Sequence, residues 1–264
     1  MLIFSPRPVH WRPVPHLLLG ALLLAGCARQ SSAPTLQVFA ASSFTDAFQA
    51  LETAFEIDHP GADVVLSFAG SQVLRLQIEL GAGADVFASA NAHHMQTLID
   101  QGRVHDSRIF ARNALTLITP LDNPADIQQF KDLPRARRLL VGTEAVPVGS
   151  YTAEVLRRSA AVLGHAFAAE VRARVVSRES NVRLIRAKVA LGEADAAIVY
   201  RTDAAATDRV REVPIPPALN VAADCLIGRV EGGALPALAD RWTGFVGGNA
   251  GQRILAQHGF VVDR

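Results

Sequence analysis

Four short stretches gather hydroxyls and very small residues at one kind of place. They are AASSF (Ala40–Phe44), FAGSQ (Phe68–Gln72), EAVPVGSY (Glu144–Tyr151) and SRESNV (Ser177–Val182), and each lies between a β-rich run and a segment with helical spacing. Three chemistries suit such a junction: a serine nucleophile, a helix cap, or a cradle for an anion. Small side chains let backbone N–H groups approach a ligand, and hydroxyls add rotatable donors. The first N–H groups of a helix lack internal partners and carry the positive end of its dipole. Several such ends converging bind an anion without Lys or Arg.

Catalysis is the least supported of the three. Ser42, Ser43 and Ser71 lie outside any G-x-S-x-G elbow, and none of the four stretches contains a His to act as base. His93 and His94 adjoin, so on a helix they point apart and cannot chelate one metal as an i, i+4 pair would. Neither a P-loop nor a G-x-G-x-x-G fingerprint occurs. A serine before a helix is also a good cap, worth about 1 kcal/mol. One junction reads as a cap; four of the same kind favour a shared site.

The elements that must position these stretches alternate regularly. LQVFAAS leads into FTDAFQALETAFEI, ADVVLSFAGS into QVLRLQIELGAG, and ADVFASA into NAHHMQTLIDQG. A second set follows the strand NALTLITP (Asn113–Pro120): RRLLVGTEAVPVGS into YTAEVLRRSAAVLG, then VRARVVSRES into NVRLIRAKVALGEA and the strand DAAIVYRTD. This alternation predicts parallel sheet covered by helices on both faces, in two α/β sets with a cleft between them. REVPIPPALN reads as an edge strand, NVAADCLIGRV as a late strand, and the C-terminal segment as closing helices. In such sheets ligands sit beyond the carboxyl ends of the strands, where the four stretches lie.

Composition sets the outer limits. The chain has 264 residues, half of them hydrophobic, and a formal net charge of +1, which argues against a nucleic-acid binder. Arg7 and Arg12 precede the apolar run LLLGALLLAG (Leu17–Gly26), which suits a signal peptide over residues 1–26. LAGC (Leu24–Cys27) resembles the lipobox of bacterial lipoproteins, which implies lipid attachment at Cys27 and a tether over residues 27–35. Cys225, the only other cysteine, lies in an apolar run and reads as a buried small hydrophobe.

Taken together, VFAASSFTDAF, SFAGSQVLRLQIELGAGADVFASA, VPVGSYTAEVL, SNVRLIRAKVALGEADAAIVYRTDA and GQRILAQHGF resemble the periplasmic molybdate-binding proteins (ModA) of ABC transporters, from about Leu36 to Val262. The resemblance implies an α/β, two-lobe type II periplasmic-binding-protein fold with the ligand in the interlobe cleft. The implied lobes are residues 36–115 with 220–264, and residues 116–219. Carried over by position, the anion donors are the hydroxyls of Ser43 and Ser71, the backbone N–H groups of Val148 and Val182, and the phenol of Tyr200. Val148 is larger than the Ala often found there, and Gly70 stands where Ser is frequent. The implied protein is not an enzyme. It is a lipid-anchored extracytoplasmic monomer that needs no cofactor, takes molybdate or tungstate, and serves an ABC permease. Molybdate and sulfate want donors alone, whereas phosphate keeps a proton and favours an acceptor; Glu144 and Glu179 lie close enough in sequence to leave that open. Three alternatives stand beside this reading: a sulfate or other oxyanion receptor, an organic-solute or metal-cation receptor on the same fold, and an α/β enzyme using Ser43 or Ser71.

Overall fold

A computed structural model describes residues 35–262; the signal peptide, Cys27 and the rest of the tether up to residue 34 lie outside the described residues. Strands are β1 (Thr35–Ala41), β2 (Asp63–Ala69), β3 (Val86–Ser89), β4 (Val104–Pro120), β5 (Leu139–Gly142), β6 (Val175–Glu179), β7 (Ala196–Tyr200), β8 (Val210–Pro214) and β9 (Ala222–Val230). Helices are α1 (Thr45–Asp58), α2 (Ser71–Glu79), α3 (Ala92–Asp100), α4 (Pro147–Leu163), α5 (His165–Ala173), α6 (Val182–Ala190), α7 (Arg201–Ala205), α8 (Pro236–Gly247) and α9 (Asn249–Gln257). β1 starts at Thr35, one residue inside the segment read as tether.

The strands run in the order β2-β1-β3-β9-β4-β7-β5-β6, with β8 beside β4. Parallel pairing holds within each α/β set, for β1 with β2 and β3 and for β5 with β6 and β7. The expectation of a parallel sheet fails at the centre, where β9 pairs antiparallel with β3 and β4, and β4 antiparallel with β7 and β8. The physical reason is connectivity: the chain crosses between the sets on β4 and returns on β9, and two such crossings lie naturally antiparallel.

β4 is also longer than its sequence suggests, with 17 residues against the eight of NALTLITP. Its first half pairs with β9 through two register shifts, and its second half pairs with β7 and β8. The polar run His105–Arg108 hides this half, because it meets solvent and shows no apolar alternation. Similarly, Val171–Arg174 closes α5 rather than opening a strand, since Ala168 and Val171 share a buried helical face.

Both faces of the first sheet are covered. Val86 and Ala88 of β3 join one core cluster, while Phe87 between them joins the other with Leu74, Ile78, Met95 and Leu98 from α2 and α3. On the opposite face α1 buries Ala47, Phe48, Leu51 and Phe55, the i, i+4 and i+8 pattern of one helical stripe. Phe55 and Phe48 meet Trp242 of α8 edge-on at 5.2 and 6.0 Å between ring centroids. Each such side chain stabilises the fold by about 2–3 kcal/mol through burial. Cys225 is buried and free, packed in the same core, where burial pushes its thiol well above the ordinary range.

Candidate functional site

Beyond the carboxyl ends of β1, β2, β5, β6 and β7 the chain turns toward helices, and residues of these junctions face one small cavity. It is lined by Ala41, Ser42, Ser43, Gly70, Ser71, Ala90, Val146, Pro147, Val148, Val182 and Tyr200. The five residues expected to donate, Ser43, Ser71, Val148, Val182 and Tyr200, are all there, drawn together from five separate junctions.

Each offers a hydrogen with no competing use. Ser43 sits in the 3-10 turn Ser42–Phe44, and its Oγ is buried with no hydrogen-bond partner among the described residues. Ser43 is not a cap: α1 has no side-chain cap, and the local hydroxyl bond is Thr45 Oγ1 donating to the Ser42 carbonyl at 2.8 Å. Ser71 opens α2 behind Gly70, and its Oγ accepts from the Ala90 N–H at 3.1 Å. With that lone pair engaged, its proton is the part left to donate.

Val148 follows Pro147 in the first turn of α4, and Val182 is the first residue of α6. Helical geometry gives neither N–H an intrahelical acceptor. At α6 the Asn181 side chain accepts from Leu184 N–H at 3.0 Å, which caps the turn without engaging Val182. Tyr200 ends β7, and its hydroxyl is buried with no partner among the described residues. Burial, reinforced by Tyr151, Cys225 and Asp203, holds its phenol well above the ordinary range, so it stays a neutral donor.

Among the described residues no Asp, Glu, Lys or Arg lines this cavity. Glu144 is not among the lining residues, and Glu179 is occupied elsewhere, accepting from Lys188 Nζ and Ser177 Oγ at 2.7 Å each. The set therefore offers hydroxyl and N–H donors and no carboxylate to take the proton of a phosphate, which suits a fully deprotonated oxyanion. Three helix openings (α2, α4 and α6) add the positive ends of their dipoles. Nearby, burial pushes the Asp203 carboxyl up to about 7, which lessens the negative charge beside the site at neutral pH.

Ser42, which the resemblance does not count among the donors, lines the cavity too, as do Ala41, Ala90, Val146 and Pro147. Only the small-residue composition of the junctions pointed to these.

Residues 36–261 match the family of bacterial extracellular solute-binding proteins. The chain belongs to that family. Its members bind solutes rather than transform them, so Ser43 and Ser71 are not nucleophiles. Among curated relatives, the molybdate-binding protein ModA of Mycobacterium tuberculosis is 35% identical, over 92% of this chain and 96% of its own. A putative ABC transporter substrate-binding lipoprotein of Bacillus subtilis, YvgL, is 31% identical over 74% of this chain and 76% of its own. Among solved structures, the periplasmic molybdate-binding protein of Azotobacter vinelandii superposes with a TM-score of 0.75 at 21% identity, over 87% of this chain and 100% of its own. That likeness establishes the two-lobe α/β fold of the family. No helix among the described residues is long and apolar enough to cross a membrane.

Proposed function

We propose that this solute-binding protein captures molybdate, and tungstate in the same way, for uptake by an ABC permease. Ser43 and Ser71 donate hydroxyl hydrogens, Val148 and Val182 donate backbone N–H groups, and Tyr200 donates its phenol. The observation that carries the reading is the convergence of these five on one small cavity that no carboxylate lines. Relatives named for molybdate binding support the choice of anion.

The lobes in this reading are residues 36–115 with 220–264, and residues 116–219. Supporting this division, the Asn220 side chain accepts from Leu115 N–H at 3.2 Å and donates to Leu115 C=O at 2.8 Å, joining the two crossings where the segments meet. Closure follows from differential binding: an anion that touches both lobes favours the closed state. The protein acts as a monomer outside the cytoplasm, held to the membrane by lipid on Cys27. The LAGC motif and a relative named as a lipoprotein support the anchor.

The test is thermal denaturation with molybdate, tungstate, sulfate, phosphate and divalent cations in turn. A ligand at about 100 times its Kd adds about 2.7 kcal/mol, which for a chain of this size raises Tm by roughly 5–10 °C. Molybdate and tungstate are expected to give that shift. A shift with sulfate or phosphate and none with molybdate sinks the reading. For the site itself, Ser43→Ala is expected to weaken molybdate about 10- to 100-fold, as loss of a hydrogen bond to a charged group does. Its urea midpoint should barely move. Retained affinity with lost stability would make Ser43 a structural residue.

A further inference from the structure

His94 lies on α3, beside the first sheet, and is 3% exposed. Its Nε2 stands 2.8 Å from the carbonyl oxygen of Ala145, in the β5–α4 connection that continues into Val146, Pro147 and Val148. A carbonyl only accepts, so Nε2 carries the hydrogen and neutral His94 holds its lone pair on Nδ1. That Nδ1 is buried and has no hydrogen-bond partner among the described residues. A second proton would therefore place a buried cationic N–H against no acceptor, a costly arrangement.

We propose that neutral His94 is a positioning residue that latches the Val148 loop shut across the cleft, and that protonating it loosens the latch and weakens anion binding in mild acid. The inference rests on the reading of the cavity as the anion site.

The charged neighbours do not remove the cost. Arg75 and Glu79 of α2 are paired with each other, and they act on His94 in opposite senses. His93, exposed on the same helix, opposes a second charge, and Glu144 precedes Ala145 on the loop. Burial is the largest influence, and the net effect holds the His94 imidazolium below its ordinary range. The sign follows from linkage. The closed state keeps His94 neutral, while an opened cleft lets it charge near the ordinary value of about 6.5. Affinity is thus full above that value and falls as pH drops through it.

The experiment measures Kd for molybdate on the full chain at about pH 8 and about pH 5.5, with sulfate in parallel. Wild type is expected to lose at least about threefold in affinity at the lower pH. His94→Gln keeps an amide donor for the Ala145 carbonyl and does not titrate, so it should bind within a few-fold of wild type at about pH 8 and show no loss in acid. His94→Ala, with no donor, should bind more weakly at both values. A His94→Gln variant with the wild-type slope overturns the latch, since Asp203, which also titrates in this range, acts on both proteins alike. A chain that takes sulfate and not molybdate sinks the molybdate reading alone, and the slope read on sulfate then judges the latch. Binding of neither anion at about pH 8 overturns both.

Discussion

Replacing Gly149 with alanine is expected to cost about 3 kcal/mol of stability, at the upper end of what overpacking usually costs, and to abolish anion binding. A Cβ at this position would overlap the Thr143 carbonyl oxygen and lie 2.6 Å from the Gly142 oxygen. Both obstacles are backbone, so no rotamer change relieves them. Gly142 is constrained from the other side, since its own Cβ would fall 2.9 Å from Gly149 N. The two glycines let the first turn of α4 fold back onto the end of β5, and Gly149 N–H donates to Val146 C=O at 2.9 Å within that turn. Prising the turn away moves the Val148 N–H out of the cavity as well as straining the strand end. Urea denaturation and equilibrium binding give the check. A Gly149→Ala protein with wild-type midpoint and affinity would show that the loop yields where the backbone geometry says it cannot.

The second large effect is expected at Gly70 and should be almost purely functional. Gly70→Ala puts a Cβ 2.7 Å from the carbonyl oxygen of Ser180, which belongs to the β6–α6 connection beside the other sheet. The Gln72 side chain is also in the way, and it bridges the same gap by donating to Ser180 C=O at 2.9 Å. Gln72 can swing aside, but a backbone carbonyl cannot. Opening the cleft relieves the clash without disturbing either core, so the folded protein survives while its closed form is penalised. Affinity is expected to fall at least about 30-fold, equivalent to about 2 kcal/mol, with the thermal midpoint of the anion-free protein unchanged. Loss of less than about threefold would sink the steric account. The absence of a serine at this position therefore has a reason beyond a missing hydroxyl: the cleft closes too tightly there for any side chain.

The parts of this site that were legible in the sequence were local. A Ser or an Ala–Gly pair between an apolar run and a helical stripe is visible within about ten residues, and the physics of orphaned helix N–H groups does not depend on distant partners. The closure contacts were not legible for the opposite reason. His94 and Ala145 are 51 residues apart, and Gln72 and Ser180 are 108 apart, with no periodicity that ties either pair. Asp46 and Arg183, bonded at 2.9 Å between α1 and α6, are likewise 137 apart. The role of Ser43 as a cap failed on a still finer point. The 3-10 turn Ser42–Phe44 inserts before α1, so the helix begins too late for that hydroxyl to reach its first N–H groups. At fold level the alternating units were plain, whereas the antiparallel centre was not, because half of β4 is disguised by polar residues.

The position of β9 has a consequence for the birth of the molecule. It lies between β3 and β4, yet it is the last strand in the chain. Until Ala222–Val230 arrive, β3 and the first half of β4 each present an unpaired edge, and the first α/β set is left open. The second set, by contrast, draws β5, β6, β7 and β8 from one uninterrupted stretch and can assemble as soon as that stretch emerges. Synthesis therefore keeps the N-terminal third waiting for its final partner. Its exposed strand edges are open to mispairing until then, and a chain bound for export benefits from remaining threadable while it waits.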